Sequence, residues 1–435
     1  MGMAILAGAG TTIQRNTIDS TGYIPIRFGG SNVLINENVI RYFCLTIDDG
    51  GGIYTWSDGK TEPENRKVTN NLVLYGIGAS AGTNKTPRPP AEGIYVDDRS
   101  PNVEVKGNTV AYCSNNGIYV HNARKCPVKN NTVFGCSFAL KIVHDNLAPT
   151  FPVVDCDIQN NILASSSLDV TKTLLTFQTR DTTTLAKLGI MDHNIYCHPF
   201  QKEGYIRYIY NPLVTKKSLS LNLEEWRSVS GYDKNAKLSP RSFSLIEKIL
   251  SPNLITNSFF SMNTHTWSTW DPVGNTSSLE WVPDQLDGGC LSFKVSSNGT
   301  VPSRIQTLIP PITNGKDYLL KMSVKTSKEG LLNTFFIQNI APYPFGSKNY
   351  TVTSGTERKD IELPIRATMT QEKPSLFVNI GPEDGTVLLD NIELYEVMLV
   401  NPDNRVRFEF NTTSENRFIT ADQYKWFDKG KHYSN

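Results

Sequence analysis

The sequence predicts an all-β protein in which a right-handed parallel β-helix precedes an antiparallel β-sandwich of jelly-roll type. Two features of its 435 residues indicate this fold. Asparagines recur between apolar residues in the first half of the chain, and short alternating strands separated by Gly, Pro and Asn turns follow Asn253. We therefore expect a β-helix over residues 1–248, a sandwich over 249–399, and the incomplete start of a small C-terminal β-domain over 400–435.

The asparagines form a ladder with the pattern apolar-x-x-Asn-x-apolar. Their spacings are 22, 33, 37, 23, 30 and 33 residues. A base period of 22–23 residues, lengthened by loops, matches the coil of a β-helix, in which equivalent side chains stack at ~4.8 Å. A buried Asn can then hydrogen-bond the amide of the next Asn. The members are Asn16, Asn38, Asn71, Asn108, Asn131, Asn161 and Asn194.

The seven cysteines include neither a CxxC pair nor a zinc-binding pattern, so a structural role is expected for them. Cys113 and Cys136 each follow a ladder Asn by five residues, and Cys126 and Cys156 each precede one by five. Two stacks of thiols inside the coil are therefore predicted.

Net charge and hydropathy limit the classes of binding partner that we expect for this protein. The net charge of +1 argues against nucleic acid as the main ligand. No apolar run approaches the ~18 residues that a membrane span requires. The first ladder Asn occurs at residue 16 with nothing before it to cap a coil, so we expect a chain that starts inside a longer β-helix, with any secretion signal upstream. A monomer is expected.

One motif recurs in three coils. At residues 48–56, two Asp precede three Gly and then Ile53-Tyr54-Thr55-Trp56. Residues 92–98 repeat Gly-Ile-Tyr before Asp97-Asp98, and residues 117–122 repeat it before His121-Asn122. Consecutive glycines allow the backbone to bulge and to approach a ligand closely.

These motifs resemble the right-handed β-helix glycoside hydrolases of bacterial polysaccharide degradation, of the α-L-fucosidase/xylanase and β-xylosidase types. The resemblance covers residues 11–245 and rests on Asp49 to Trp56 and on Ile94 to Asp98, with Val96 in place of Leu. Residues 253–399 resemble a carbohydrate-binding module, and 401–435 a small β-domain appended to such enzymes. The resemblance implies a secreted, periplasmic or cell-surface enzyme acting on a plant-type or other complex polysaccharide.

Glycoside hydrolysis usually needs two carboxyl groups. The candidates here are Asp49, Asp98, Asp97 and Asp48. Aligning the Gly-Ile-Tyr repeats places Asp49 before one strand and Asp98 after the next, whereas aligning the Asp pairs stacks the carboxylates directly, and the sequence leaves both registers open. We expect no cofactor; a structural calcium ion on one Asp pair is the alternative.

Other residues are candidates for binding sugar. A coil step of 23 residues stacks His121 under His144, with Lys141 nearby. Aromatic side chains can stack on the C–H faces of sugars. In the β-helix these aromatic candidates are Tyr54, Trp56, Tyr95 and Tyr119, and in the sandwich they are Trp267, Trp270 and Tyr343.

Two other functions remain open. A β-helix polysaccharide lyase would need a basic residue to abstract a proton next to a uronate, for which Lys141, Arg99 and Arg124 are available. A glycan-binding protein without catalysis would need only the aromatic surfaces. The paired Asp motifs favour hydrolysis over both.

Overall fold

The structure, a computed structural model, describes residues 2–79, 90–169, 171–180, 182–202, 204–210, 217–239, 241–297, 301–328, 330–380 and 384–411. These residues form two compact units. The first contains Met1–Ser167, Lys172–Ser242 and Asp403–Asn435, and the second contains Leu168–Thr171 and Phe243–Pro402. The first is a parallel β-helix and the second an antiparallel β-sandwich, so the fold class expected from the sequence is confirmed.

In the described residues, the first unit contains twenty-four short strands and two helices. They are β1 (Ile5–Ala7), β2 (Thr12–Gln14), β3 (Thr17–Asp19), β4 (Ile26–Phe28), β5 (Val33–Asn36), β6 (Val39–Phe43), β7 (Gly50–Thr55), β8 (Arg66–Thr69), β9 (Leu72–Gly76), β10 (Ala91–Val96), β11 (Val103–Lys106), β12 (Thr109–Ala111), β13 (Asn116–His121), β14 (Val128–Lys129), β15 (Thr132–Phe134), β16 (Phe138–Val143), β17 (Ile158–Gln159), β18 (Ile162–Ala164), β19 (Thr173–Thr179), α1 (Thr182–Ala186), β20 (Met191–Asp192), β21 (Ile195–Cys197), β22 (Ile206–Tyr210), β23 (Lys217–Leu221), α2 (Leu223–Ser230) and β24 (Lys237–Leu238).

Each coil supplies one strand to each of three sheets. Sheet A has the order β1-β4-β7-β10-β13-β16-β19-β22-β23, sheet B runs from β2 to β20, and sheet C runs from β3 to β24. All neighbours pair in parallel except β22 and β23. Inward side chains alternate with outward ones along these strands, so the outer face of sheet A is left for polar and aromatic residues.

The asparagine ladder is present as predicted. Asn108 Nδ2 donates to Asn131 Oδ1 at 3.0 Å, and Asn131 Nδ2 donates to Asn161 Oδ1 at 3.0 Å. The ladder ends when Asn194 donates to Asp233 Oδ1 at 2.9 Å. The two thiol stacks are also present, since the Cys113 amide lies 3.4 Å from Cys136 Sγ and the Cys126 amide 3.3 Å from Cys156 Sγ.

Helix α2 carries two acidic residues, Glu224 and Glu225, in its first turn. Asn222 caps its N-terminus by accepting from the Glu225 amide at 3.0 Å, and Glu225 Oε2 accepts from the Asn222 amide at 2.9 Å. The capping box ties the helix start to its first turn. Trp226 is fully buried and donates to Asp233, which joins the helix to the end of the ladder.

The second unit is a sandwich of two antiparallel sheets. Sheet D has the order β27-β28-β35-β30-β33 with β25 added on β35, and sheet E has the order β26-β29-β34-β31-β32. Both inner faces contribute to one apolar core. The strands are β25 (Ile246–Ile249), β26 (Trp267–Trp270), β27 (Asn275–Val282), β28 (Cys290–Ser297), β29 (Arg304–Leu308), β30 (Asp317–Thr326), β31 (Gly330–Gln338), β32 (Tyr350–Ser354), β33 (Lys359–Arg366), β34 (Pro374–Ile380) and β35 (Gly385–Leu399).

The segment after the sandwich packs on the β-helix. A 3-10 turn at Pro402–Asn404 is followed by an extended stretch in which Phe408 stacks on Phe134 with ring centroids 4.6 Å apart. The small C-terminal domain expected over residues 400–435 falls mainly on residues 412–435, which lie outside the described residues. No helix in the described ranges is long and apolar enough to cross a membrane.

Candidate functional site

The register of sheet A decides between the two alignments of the repeated motif. Ile53 pairs with Ile94 and Tyr54 with Tyr95, so the Gly-Ile-Tyr repeats lie side by side. Asp49 therefore precedes its strand, whereas Asp97 follows the neighbouring one. The Cα atoms of Asp49 and Asp97 are therefore separated by the length of the strand, ~20 Å at ~3.3 Å per residue. Asp49 and Asp98 therefore do not form a catalytic pair, because such pairs lie within ~9.5 Å.

The Asp48-Asp49 pair lies at the N-terminal end of β7. The amide of Asp49 donates to Pro90 O at 2.8 Å, and its backbone has a positive φ of 55°. The Asp49 residue is exposed, whereas Asp48 is 6% exposed. Neither of these carboxylates belongs to the cluster at the other end of the strands.

A column of aromatic residues crosses the outer face of sheet A. The ring centroids of Tyr54 and Tyr95 are 5.3 Å apart, and those of Tyr95 and Tyr119 are 4.8 Å apart with nearly parallel planes. Lys141 Nζ lies 4.8 Å from the Tyr119 centroid and continues the column. Trp56, two residues after Tyr54, is 41% exposed. Tyr54, Tyr95, Tyr119 and Lys141 thus lie on one face, where Tyr95 and Tyr119 are only 6% and 8% exposed.

Three Asp gather around His121 and Asn122 at the C-terminal ends of β10, β13 and β16. His121 Nδ1 is 3.1 Å from Asp97 Oδ1, and its Nε2 is 3.0 Å from Asp145 Oδ2. Asn122 Nδ2 donates to Asp98 Oδ1 at 2.8 Å and to Asp145 Oδ1 at 2.9 Å. The side chains of the three Asp are 14%, 15% and 25% exposed for Asp97, Asp98 and Asp145, so they border solvent. We call Asp97, Asp98, His121, Asn122 and Asp145 the carboxylate cluster.

The cluster holds a positive charge between negative ones. Burial disfavours a charged His121, but hydrogen bonds to Asp145 and Asp97 outweigh it and raise its pKa to about 9. Burial also opposes the charges of Asp97 and Asp145, yet their hydrogen bonds, first among them those from His121, lower both pKa values. At neutral pH the cluster therefore contains an imidazolium between two ionised carboxylates.

His144 does not stack on His121. His121 pairs with Val143, so the step in this coil is 22 residues instead of the expected 23. His144 is 4% exposed, and its Nε2 lies 3.3 Å from Pro149 O. His144 thus holds the loop that follows β16. Asp145 occupies the position beside His121 that the sequence analysis assigned to His144.

Sequence reasoning missed two carboxylates, Asp145 and Glu92. Asp145 follows Asn122 by 23 residues, which is the base period of the asparagine ladder, and this spacing was the signal for it. Glu92 is 2% exposed and accepts from Asn115 Nδ2 at 2.7 Å and from the Asn116 amide at 2.6 Å. Burial raises the pKa of Glu92 to about 7 against these hydrogen bonds.

Glu92 directly precedes a glycine that faces the interior of the coil. A Cβ on Gly93 would lie 2.2 Å from Val110 Cγ1, so only glycine fits there. Because successive side chains of a strand alternate between its faces, Glu92 points away from this interior.

Asp97, Asp98 and His121 offer ligand atoms within 4.8 Å of one another, the spacing at which three such groups could hold a metal ion. Both ring nitrogens of His121 face carboxylates, so its imidazole would bind a metal only in the neutral form.

The sandwich candidates separate into core and surface. Trp267 is 7% exposed and packs against Phe260 with centroids 5.7 Å apart, so it belongs to the core. Trp270 is 43% exposed on the outer face of sheet E, with the Arg304 guanidinium 3.8 Å from its ring centroid. Tyr343 is 56% exposed.

The outer face of sheet E continues into aromatic residues that the sequence did not suggest. Arg304 lies 5.4 Å from the ring centroid of Phe377, which stacks on Phe335 at 5.5 Å. Phe345, 59% exposed, lies 5.0 Å from Phe335. Register explains the row, since Arg304 pairs with Asn379 and Phe377 pairs with Phe335 on the same face.

Comparison with known proteins agrees with the fold of the first unit. A family model described as right-handed β-helix region matches residues 2–171. No curated protein matches this chain. The solved structures similar to it include an arabinose-bound GH51 α-L-arabinofuranosidase, with 16% identity, a TM-score of 0.29, and coverage of 33% of this chain and 26% of that one. A structure described as CBM4 has 15% identity, a TM-score of 0.28, and coverage of 33% and 99%. The N-terminal cellulose-binding domain of a Cellulomonas fimi β-1,4-glucanase has 16% identity, a TM-score of 0.26, and coverage of 32% and 93%.

Proposed function

We propose that this protein is a glycoside hydrolase that acts on a complex polysaccharide through the carboxylate cluster. The observation that carries the proposal is the shared amide of Asn122, which donates to both Asp98 and Asp145. The two N–H bonds of an amide diverge by ~120°, so the two acceptor oxygens lie ~5 Å apart. A separation of ~5–5.5 Å is that of a retaining pair, in which one carboxylate is the nucleophile.

The hydrogen bonds around each carboxyl group suggest its role in the reaction. Hydrogen bonds keep Asp145 ionised, as a nucleophile must be, and the role of proton donor then falls to Asp98. Asp97 accepts from the Tyr54 hydroxyl and from His121, so its oxygens are engaged in holding the imidazolium. In this proposal Asp97 and His121 position the catalytic pair, and Tyr54, the half-buried member of the tyrosine column, receives the sugar.

The first experiment is an activity screen of the full chain on plant cell-wall polysaccharides. It reads new reducing ends together with absorbance near ~235 nm, which reports the unsaturated uronate that only a lyase makes. We expect reducing ends without absorbance, and loss of this activity in Asp98→Asn and Asp145→Asn by about 100-fold or more. Asp155→Asn is the matched control, because Asp155 is exposed and its positive φ of 55° suits Asn.

Two results would overturn the proposal. A rise in absorbance would assign a lyase with a basic residue as catalyst. The basic candidates are already engaged: Lys141 lies on the Tyr119 ring, Arg124 on the Phe151 ring, and Arg99 donates to Leu147 O. Silence in both readings, with polysaccharide binding retained, would assign a binding protein.

The sandwich in this proposal binds glycan through the outer face of sheet E. Exposed Trp270 and the Phe345 ring offer apolar surface beside Arg304 and Asn379. Such a mixture of flat rings and polar groups suits a polysaccharide, whose faces are apolar and whose rim is hydroxylated. A polysaccharide target would place the working protein outside the cytoplasm.

A further inference from the structure

Two loops leave the C-terminal edge of sheet A and meet beside the carboxylate cluster. Residues 56–65 connect β7 to β8, and residues 144–157 connect β16 to β17. The strands β7 and β16 are separated by β10 and β13, so the loops start ~14 Å apart at ~4.8 Å per strand. Any contact between them must bridge the two coils that carry Asp98 and Asn122. We call the joined loops the wall.

Gly59 and Phe151 form the joint of the wall. A Cβ on Gly59 would lie 2.7 Å from Phe151 Cζ and 2.9 Å from Arg99 Cδ. Gly59 also has a φ of 79°, which disfavours any larger residue. The close approach of the two loops therefore requires glycine at this position.

Charged residues fasten the same joint. The Arg124 guanidinium lies 5.2 Å from the Phe151 ring centroid and forms an ion pair with Glu62 in the other loop. Arg99 Nη2 donates to Leu147 O at 3.0 Å. Arg99 and Arg124 belong to the two coils that the wall bridges, so each of these coils contacts the wall through one arginine.

The wall is also attached to the cluster itself. The amide of Leu147 donates to Asp145 Oδ1 at 2.9 Å, and His144 Nε2 faces Pro149 O. The loop of residues 144–157 therefore begins at the carboxylate that we assign as nucleophile. The tyrosine column lies on one side of the cluster, about two residues back along the strands, and the wall lies on the other.

We propose that the wall confines hydrolysis to the ends of glycan chains, an inference that rests on the proposed function. A glycan that approaches over the tyrosine column reaches Asp98 and Asp145 and then meets the wall, so only its terminal sugar can occupy the site. Phe151 is the residue that sets this limit. The substrate class is accordingly chain ends and short oligosaccharides, and internal linkages of a polymer are excluded.

The test compares chain-end release with internal cleavage in the full chain. The polysaccharide that responds in the activity screen is digested, and viscosity, reducing ends and product sizes are followed together. For the natural sequence we expect mono- or disaccharides and little loss of viscosity. In Phe151→Ala we expect the rate on polymer relative to the rate on its hexasaccharide to rise about tenfold, with larger products. The control is Leu147→Ala in the same loop, because this side chain is 64% exposed.

The outcomes are distinct. A rapid loss of viscosity with the natural sequence, or an unchanged ratio in Phe151→Ala that folds normally by circular dichroism, overturns the inference and leaves the hydrolase proposal in place. If Phe151→Ala does not fold, Gly59→Ala, which displaces the same ring, replaces it in the same comparison. Absence of hydrolysis by every variant on every substrate overturns the proposed function and this inference with it.

Discussion

The hydroxyl of Tyr54 donates to Asp97 Oδ2 at 2.8 Å, although 43 residues separate the two in the chain. This bond joins two of the repeated motifs, because Tyr54 lies in the coil of β7 and Asp97 follows β10 in the next one. The aromatic column and the carboxylate cluster are thereby one hydrogen-bonded system. A substitution in the aromatic column should therefore alter the properties of the carboxylate cluster, and a substitution in the cluster should alter those of the column.

Tyr54→Phe tests this coupling. The loss of the donor should raise the pKa of Asp97, since a hydrogen bond to the charged form contributes to its lowered value. A bond to a charged group contributes ~1.5–3 kcal/mol, which corresponds to a shift of ~1–2 pH units. We expect the acidic limb of the pH–rate profile to move to higher pH by that amount.

Tyr119→Phe is the control for the same measurement. Tyr119 lies in the same column but no hydrogen bond joins it to Asp97 among the described contacts. Its profile should keep the natural acidic limb even if the rate falls. Equal shifts in both variants would show that the column acts through packing alone.

The charge on His121 predicts the alkaline limb. Its pKa in the folded protein is about 9, above the ordinary value of 6.5. Its contribution to stability is therefore fully present below pH ~6.5 and is lost as the pH rises through ~9. We expect both activity and unfolding free energy to fall between these values, the latter by about 3 kcal/mol at most.

His121→Asn should remove the alkaline dependence of stability, measured by urea unfolding at several pH values. His193→Asn provides the comparison, because His193 has a side chain that is 56% exposed and a positive φ of 60° that Asn accepts. An alkaline fall of the same size in His121→Asn would assign the dependence to another group.

The sequence was most informative where one interaction repeats. The ladder of Asn16 to Asn194 was predictable because every coil must satisfy the same buried amide, so that the pattern recurs with loops inserted between its members. The cysteine stacks followed from the same register. The β-helix could thus be predicted from the sequence without knowing how the strands of sheet A pair.

The candidate site was harder to predict from the sequence because it depends on shifts of one residue in the strand register. The pairing of Tyr54 with Tyr95 and a 22-residue step between His121 and Val143 decide which side chains share the column. A shift of one residue turns a side chain to the other face of the sheet. Composition reveals neither the register of the Gly-Ile-Tyr repeats nor the length of the coil step, which is why Asp49 was grouped with Asp98, and His144 was placed where Asp145 lies.

The ladder itself can be tested at its centre and at its end. Asn131 is 1% exposed, accepts from the Asn108 amide, and donates to Val105 O and Asn161 Oδ1. Asn131→Ala leaves these buried partners unsatisfied and should cost about 3 kcal/mol. Asn16 is exposed at the end of the ladder, so Asn16→Ala should cost less than about 1 kcal/mol. Urea unfolding of both variants measures the difference, and equal costs would contradict a cooperative buried ladder.

The sandwich offers two tryptophans with opposite expected effects. Trp270→Ala removes an exposed ring on the outer face of sheet E, and we expect weaker binding to insoluble polysaccharide in a pull-down assay with unchanged thermal stability. Trp267→Ala removes a core ring and should cost ~3–5 kcal/mol. Phe259→Ala, at another exposed ring of the same unit, should change neither quantity. If Trp270→Ala binds as tightly as the natural sequence while hydrolysis of short oligosaccharides persists, the outer face of sheet E is not the glycan-binding surface.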